Sequence, residues 1–194
     1  MHSARIGPNA ITRVAEALLA DVGASLTVSI FDRAGLEAYL AKPPQQMVDE
    51  TEVARLHLLL REALDTATAR RVAIDAGHRT GDYLLAHRIP RPLQWILRVV
   101  PAPIACRLLL SAIGRHAWTF AGSGQFRSRV GDTVMLEITD NPMCRGSLSA
   151  VPVCDYYAAT FERLFRVLVH PRASVVELAC EATGAKACLF EVRW

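Results

Sequence analysis

Four side chains in the last quarter of the chain have the types and spacing of a zinc site. Glu177 stands three residues before Cys180, Cys188 follows eight residues later, and Cys154 lies 23 residues before Glu177. Thiolate and carboxylate both bind zinc, and four protein ligands fill the tetrahedral shell of a structural site without leaving a position for catalytic water. We therefore expect this quartet to bind a structural Zn²⁺ ion and the function to lie elsewhere in the chain.

The same cysteines have a second interpretation as packing residues, because cysteine is among the residue types most often buried in protein cores. Three cysteines with one glutamate are also a less usual zinc shell than four cysteines, or two cysteines with two histidines. The spacing alone leaves both interpretations open.

The elements that must position these side chains are helices first and strands later. Apolar residues at helical spacing predict helices over residues 8–19, 49–64, 69–76, 80–87, 93–99 and 104–116, several of them separated by prolines. Residues 25–31 fit either a strand or the approach to a helix over residues 33–40. Alternation then predicts strands over residues 118–122, 125–130, 133–139, 174–180 and 188–193, with one more helix beginning near Pro152. The predicted fold class is α+β, with N-terminal helices packed on a mainly antiparallel sheet, a C-terminal helix and a zinc-clamped hairpin.

Composition narrows the function further. The 194 residues are 52% apolar, which is enough for one substantial core, and the formal net charge of +3 is too small to favour a nucleic-acid partner. Residues 1–5 lack the apolar run of a signal peptide, so we expect a cytoplasmic protein whose five cysteines are free thiols or metal ligands. Residues 93–113 are as long as a membrane span, but Arg98, Arg107 and two prolines favour a buried helical pair. Peripheral contact with a membrane stays open.

The C-terminal pattern resembles the signature of the 4-vinyl reductase domain. The pattern reads Glu177-x2-Cys180-x3-Gly184-x3-Cys188-x-Phe190-x-Val192 and follows the helix that carries Cys154. This domain occurs in phenol-sensing bacterial transcription activators, which bind zinc through three cysteines and a glutamate at matching positions, and in bacteriochlorophyll-biosynthesis proteins. The resemblance thus also implies a zinc site made by the quartet.

Three other segments, residues 5–11, 81–90 and 116–124, resemble the BchJ-type bacteriochlorophyll 4-vinyl reductase proteins of purple phototrophs. This similarity covers nearly the whole chain. It implies a helical extension in residues 1–45, followed by a 4-vinyl reductase-type ligand-binding domain in residues 46–194. It also implies a role in bacteriochlorophyll biosynthesis, at the step where the 8-vinyl group of a divinyl protochlorophyllide or chlorophyllide becomes ethyl.

Reduction of a vinyl group requires an electron source, and the sequence has no motif that would hold one. Gly122-Ser123-Gly124 is only a fragment of a dinucleotide-binding fingerprint, and the cysteines do not follow an iron–sulfur spacing. We therefore predict no bound redox cofactor and favour a protein that binds and delivers the tetrapyrrole. The alternative is the divinyl (proto)chlorophyllide 8-vinyl reductase itself with an external electron donor, so the question of enzyme activity stays open.

The resemblance also implies where a magnesium tetrapyrrole would bind. In the sensor relatives a histidine and a tryptophan near the first strands hold the ligand, and their nearest equivalents by order are His116 and Trp118. An aromatic wall and an arginine for the propionate would complete the site, and these could come from Phe120 and from Arg115 or Arg88. His116 could equally cap a helix, and Trp118 could equally be a core residue.

Partners follow from the same resemblance. The expected partners are the tetrapyrrole, divinyl protochlorophyllide or chlorophyllide, and other bacteriochlorophyll-biosynthesis enzymes. Peripheral contact would then be with the photosynthetic membrane. The apolar residues 93–110 could form a homodimer interface or belong to the core.

Overall fold

The first half of the chain is helical. The computed structural model describes residues 4–194, so Met1, His2 and Ser3 of the predicted N-terminal extension lie outside the described residues. The helices are α1 (Asn9–Asp21), α2 (Gly23–Arg33), α3 (Ala38–Ala41), α4 (Glu50–Ala63) and α5 (Thr66–His87). Strand β1 (Arg5–Ile6) pairs antiparallel with β2 (Val48–Asp49), which holds the start of the chain beside α4.

The second half adds three helices before an antiparallel sheet. The helices α6 (Arg91–Val99), α7 (Ala102–Arg115) and α8 (Trp118–Ala121) precede β3 (Gln125–Val130) and β4 (Val134–Thr139). Helix α9 (Asp155–Leu168) then leads to β5 (Ser174–Ala179) and β6 (Cys188–Arg193). The strands lie in the order β3-β4-β6-β5 with every neighbouring pair antiparallel, so the predicted α+β class is confirmed.

Helix α9 covers one face of the sheet and builds the core there. Val134, Leu136 and Ile138 alternate as buried residues along β4, as expected for a strand with one covered face. Phe161 of α9 packs edge-on against Phe190 of β6, with ring centroids 5.8 Å apart. The sheet and α9 thereby form a rigid floor, and the candidate metal ligands lie at the end of this floor.

Helix α5 crosses α9 at two glycines. A Cβ atom at Gly77 would lie 2.8 Å from Cβ of Ala159, and one at Gly81 would lie 2.6 Å from Cβ of Arg163. Both glycines therefore permit a close helix approach, and Thr160 Oγ1 donates a hydrogen bond to the Gly77 carbonyl at 3.1 Å. This packing explains why one continuous α5 replaces the two predicted helices over residues 69–76 and 80–87.

Two other local predictions were wrong. Residues 118–122 were expected to form a strand, but Trp118–Ala121 is helical, because the chain continues turning after α7 and Ala121 N–H donates to the Ala117 carbonyl at 2.7 Å. Residues 25–31 belong to α2, whose buried Thr27, Ile30 and Phe31 follow helical spacing. In both segments a short apolar pattern fits either element, and packing decides between them.

The apolar segment over residues 93–113 also differs from its predicted burial. Helices α6 and α7 form the expected pair, but each leaves apolar side chains exposed. Within residues 4–194, none of the helices combines the length and the apolar character needed to cross a bilayer.

Candidate metal centre and ligand surface

Four cysteines from four separate segments meet at one end of the sheet. Cys144 ends a short 3-10 turn (Pro142–Cys144) after β4, Cys154 directly precedes α9, Cys180 follows β5, and Cys188 begins β6. All four side chains are buried, and their sulfur atoms lie within 4.8 Å of one another. Three of the four predicted ligands therefore meet. The cluster also contains Cys144, which the sequence reasoning missed.

The geometry of the four sulfurs fits a tetrahedral metal shell. Four of the Sγ–Sγ distances are 3.6 Å (Cys144 to Cys188), 3.7 Å (Cys154 to Cys180 and to Cys188) and 3.8 Å (Cys180 to Cys188). A tetrahedron with Zn–S bonds of about 2.3 Å requires sulfur atoms about 3.8 Å apart. The cluster can therefore hold a metal ion without rearrangement of the chain.

Glu177, the remaining predicted ligand, lies directly beside this cluster. Its Oε2 accepts a hydrogen bond from the Cys154 backbone N–H at 2.7 Å, while its buried Oε1 has no hydrogen-bond partner among the described residues. Burial, and next the nearby Cys180, raise the pKa of Glu177 to about 9, so the carboxyl would be protonated at neutral pH unless a cation lay close to it. The assignment of Glu177 as a ligand stays a prediction, and five donor side chains are present for four positions.

A β-bulge brings Glu177 and Cys180 to the same place. Glu177 pairs with Phe190 and Ala179 with Leu189, so an extra residue is accommodated between Glu177 and Ala179 in β5. In a regular strand, residues three apart point to opposite faces, and a bulge reverses that relation. The local irregularity is therefore what allows both side chains to approach one metal.

The thiols share protons in a way that a cation would replace. Hydrogen bonding with Cys144 and the other sulfurs raises the pKa of Cys154 and of Cys188, and the same type of contact lowers the pKa of Cys180. Metal binding requires deprotonated sulfur, so binding would release these protons and remove the competition. The fifth cysteine, Cys106, is buried in α7 and is not part of the cluster.

Polar groups around the cluster hold its loops in place. Glu181 accepts hydrogen bonds from the backbone N–H groups of Asp140 at 2.7 Å and Asn141 at 2.8 Å, and Asn141 Nδ2 donates to Sγ of Cys154 at 3.3 Å. Arg61 of α4 donates to the Met143 carbonyl at 2.9 Å. These contacts fix the ligand-bearing segments relative to each other.

The Arg61 guanidinium is also the positive charge next to the sulfurs. Burial lowers the pKa of Arg61, and negative charge on Cys154, Cys144 and Cys180 opposes that shift. An arginine keeps its proton in proteins, so Arg61 offsets part of the negative charge that four thiolates would carry around a divalent ion. Its spacing from the cysteines in sequence gave no indication of this role.

The glycine-containing segment before β3 binds a carboxylate of the chain itself. Ser123 donates to Glu50 from its backbone N–H at 2.8 Å and from Oγ at 2.7 Å, and Arg145 Nη1 donates to the same carboxylate at 2.7 Å. Gly122 has φ of 59°, and a Cβ atom there would collide with the Glu50 carboxylate. Gly122-Ser123-Gly124 thus joins α4 to the loop of Cys144.

The charge of Glu50 is maintained in this clasp. Burial raises the pKa of Glu50, but the hydrogen bonds from Ser123 and the ion pair with Arg145 outweigh burial, so the pKa is lower than usual. The residue is therefore a structural anion, and it links the N-terminal helices to the metal-binding end of the sheet.

The predicted tetrapyrrole ligands lie mainly on the surface where α7 joins α8. His116 follows the last residue of α7, and its carbonyl accepts a hydrogen bond from Thr119 Oγ1 at 2.7 Å, while its ring is exposed. Trp118 is 59% exposed and Arg115 is exposed. Arg88 lies after α5, and no hydrogen bond or ion pair between described residues joins it to this group.

Phe120 is the exception, because it points into an aromatic cluster. Its ring packs edge-on against Phe126 at 5.4 Å, Tyr157 at 6.0 Å and Phe161 at 5.9 Å, measured between ring centroids. Tyr157 Oη also donates to the Phe120 carbonyl at 2.6 Å. The aromatic cluster connects the exposed His116 and Trp118 region to α9, which begins at the cysteines.

Comparison with known proteins gives a consistent set of relatives. The chain is 44% identical over 190 residues to the "Bacteriochlorophyll synthase 23 kDa chain" of Cereibacter sphaeroides, covering 97% of this chain and 90% of the relative. It is 38% identical over 186 residues to the protein of the same name from Rhodobacter capsulatus, covering 96% and 85%. Residues 134–194 match the family model of the 4-vinyl reductase domain.

The fold is also shared with solved structures of H-NOX proteins. An unliganded Fe(II) H-NOX variant from K. algicida aligns with a TM-score of 0.62 at 12% identity, covering 97% of this chain and 96% of the other. A structure from a study of heme distortion in the H-NOX family aligns with a TM-score of 0.58 at 13% identity, covering 96% and 94%. At these identities the comparison shows an H-NOX-like fold.

Proposed function

Because the chain belongs to the family of the bacteriochlorophyll synthase 23 kDa chain, we propose that it binds and delivers a tetrapyrrole at the 8-vinyl (4-vinyl) reduction step. A role in bacteriochlorophyll biosynthesis follows from the family. The observation that carries the role is the 44% identity to a relative of that name over 97% of the chain. The proposed ligand is a divinyl protochlorophyllide or chlorophyllide.

The architecture supports tetrapyrrole binding. The H-NOX structure with a TM-score of 0.58 comes from a study of heme distortion, and heme is itself a tetrapyrrole. In this chain the aromatic rings of Phe120, Phe126, Tyr157 and Phe161 lie between α8 and α9. Aromatic faces are suited to stack on a flat conjugated macrocycle.

The exposed groups beside this cluster provide the polar contacts that a magnesium tetrapyrrole needs. The His116 ring has no hydrogen-bond partner among the described residues, so a ring nitrogen is free to bind the central magnesium. Arg115 forms no ion pair within the described part of the chain, so its guanidinium is free to bind a propionate carboxylate. We assign Trp118, which is 59% exposed, to a wall of the site.

The cysteine cluster has a separate, structural role in this proposal. Zinc bound by Cys144, Cys154, Cys180 and Cys188 would tie the loop after β4, the start of α9 and the β5–β6 connection together, with Glu177 as the competing fourth ligand. Four ligands leave no open position on the ion, so the metal would stabilise the fold. The tetrapyrrole would then bind around α8, apart from the thiolates.

A pigment titration tests the proposal. Purified protein is mixed with divinyl protochlorophyllide, and the visible absorption bands are followed as a function of protein concentration. We expect saturable binding with a shift of the bands, and loss of the shift in His116→Ala. His78→Ala, which changes a histidine on α5, is the matched control and should bind like the parent protein. An identical spectrum for His116→Ala would refute the role of His116, and no binding at all would refute the tetrapyrrole proposal.

Turnover separates the carrier from the reductase. The pigment complex is incubated with NADPH or with reduced ferredoxin, and the conversion of the 8-vinyl group to ethyl is measured by mass. A carrier gives no conversion alone and accelerates conversion by an added reductase. Conversion by the purified protein with either donor would identify it as the 8-vinyl reductase and refute the carrier role.

A further inference from the structure

Helix α6 exposes the face that an amphipathic helix normally buries. Pro92, Trp95, Ile96 and Val99 have the spacing i, i+3, i+4, i+7, and all four are exposed, Trp95 by 66% and Val99 by 59%. Gln94 and Leu97 are the buried residues of this helix. The apolar stripe of α6 therefore faces outward.

Helix α7 continues this surface. Ile104 and Leu108 are exposed one turn apart, with Arg107 and Arg115 exposed on the same side of the helix, while Leu109 and Ile113 are buried. Both α6 and α7 pack against α9, so their exposed stripes point away from the same helix. We call the exposed side chains of residues 91–108 on these two helices the α6–α7 surface.

The charge around this surface has one sign. Residues 83–131 contain seven arginines and no aspartate or glutamate, so the rest of the chain has 15 basic and 19 acidic residues. No ion pair between described residues involves any of the seven arginines. The slight net charge of the whole chain thus hides a strongly positive segment opposed by an acidic remainder.

We propose that the α6–α7 surface docks on an anionic lipid bilayer, with its apolar side chains in the interface and its arginines on lipid headgroups. Apolar residues with an interfacial tryptophan and flanking arginines are the combination by which helices lie in the plane of a membrane. Arginine side chains can extend to the headgroups while their stems stay in apolar surroundings. This inference goes beyond the proposed function and does not rest on it.

A second copy of the chain fits the surface less well than a bilayer does. A two-fold symmetric dimer would place the same patch of each copy against the other, so Arg91 and Arg107 would face further arginines without acidic partners. Anionic lipid provides the opposite charge at every position. Charge complementarity therefore selects the bilayer.

Vesicle flotation tests the proposal with the full chain. Vesicles of phosphatidylcholine alone are compared with vesicles that contain about 30% phosphatidylglycerol. We expect binding to the anionic vesicles and at least tenfold weaker binding to the neutral ones. Replacing both Arg91 and Arg107 by alanine should weaken anionic binding about 25-fold, since each arginine near an anionic surface contributes about fivefold.

Apolar variants and matched controls complete the test. Trp95→Ser combined with Ile96→Ser should weaken binding at least tenfold, and both side chains are exposed, so circular dichroism should show an unchanged fold. Leu148→Ser, at a side chain that is 97% exposed, and Arg55→Ala, at an exposed arginine of α4, should bind like the parent. Equal binding to neutral and anionic vesicles, or no binding to either, would overturn the proposal. So would a stable dimer in light scattering that dissociates in the Trp95 and Ile96 variant.

Discussion

The identity of the fourth metal ligand can be decided by exchanging one atom at a time. Cys144→Ser replaces a sulfur by a hydroxyl, and Glu177→Gln keeps an oxygen that can still accept the hydrogen bond from the Cys154 N–H. The sulfur of Cys144 is 3.6 Å from that of Cys188, which fits the edge of a zinc–thiolate tetrahedron. We therefore expect Cys144 to bind the metal and Glu177 to lie next to the shell.

The expected magnitudes follow from this geometry. Structural zinc sites bind with about 10–16 kcal/mol, so one of four ligands accounts for about 3 kcal/mol, or about a hundredfold in Kd. Cys144→Ser should weaken zinc binding by about that factor. Glu177→Gln removes no ligand in this arrangement and preserves the hydrogen bond, so its effect should be about tenfold or less.

Cobalt substitution reads out the ligands directly. The sulfur-to-cobalt charge-transfer band grows with the number of thiolates, and competition with a chromophoric chelator gives the affinity. For a four-cysteine shell, Cys144→Ser reduces the band by about a quarter and Glu177→Gln leaves it unchanged. The reasoning is refuted if Cys144→Ser leaves both band and affinity unchanged while Glu177→Gln costs about a hundredfold, because Glu177 would then be the fourth ligand.

Three further outcomes are expected. Arg61→Met should weaken metal binding about 10–100-fold in the chelator competition, whereas Arg55→Met should not. Burial lowers the pKa of His57 from 6.5 to about 3, so the unfolded chain binds a proton that the folded chain excludes. The free energy of unfolding should then fall by about 1.4 kcal/mol per pH unit below 6.5, and urea titrations of His57→Gln should lack this contribution. Gly77→Ala should destabilise the fold by about 1–3 kcal/mol in the same titration, because its methyl group meets α9.

Local chemistry and periodicity determined much of this protein from sequence. Thiols at Cys154, Cys180 and Cys188 indicated a metal site because cysteines in a reducing compartment have few other structural uses. Apolar spacing predicted α1, α4, α9 and the strands β4 to β6 because one face of each element is buried.

The tertiary structure decided which of these side chains meet and which face of each helix is covered. Cys144 joins the cluster only because β4 and β6 are neighbours, so the turn after one lies beside the start of the other. Glu177 approaches Cys180 only through the bulge in β5. The periodicity of α6 predicted a helix, but only its packing against α9 fixed Leu97 inward and Trp95 outward. Sequence spacing defines the faces of an element, whereas the partner of each face depends on contacts between residues far apart in the chain.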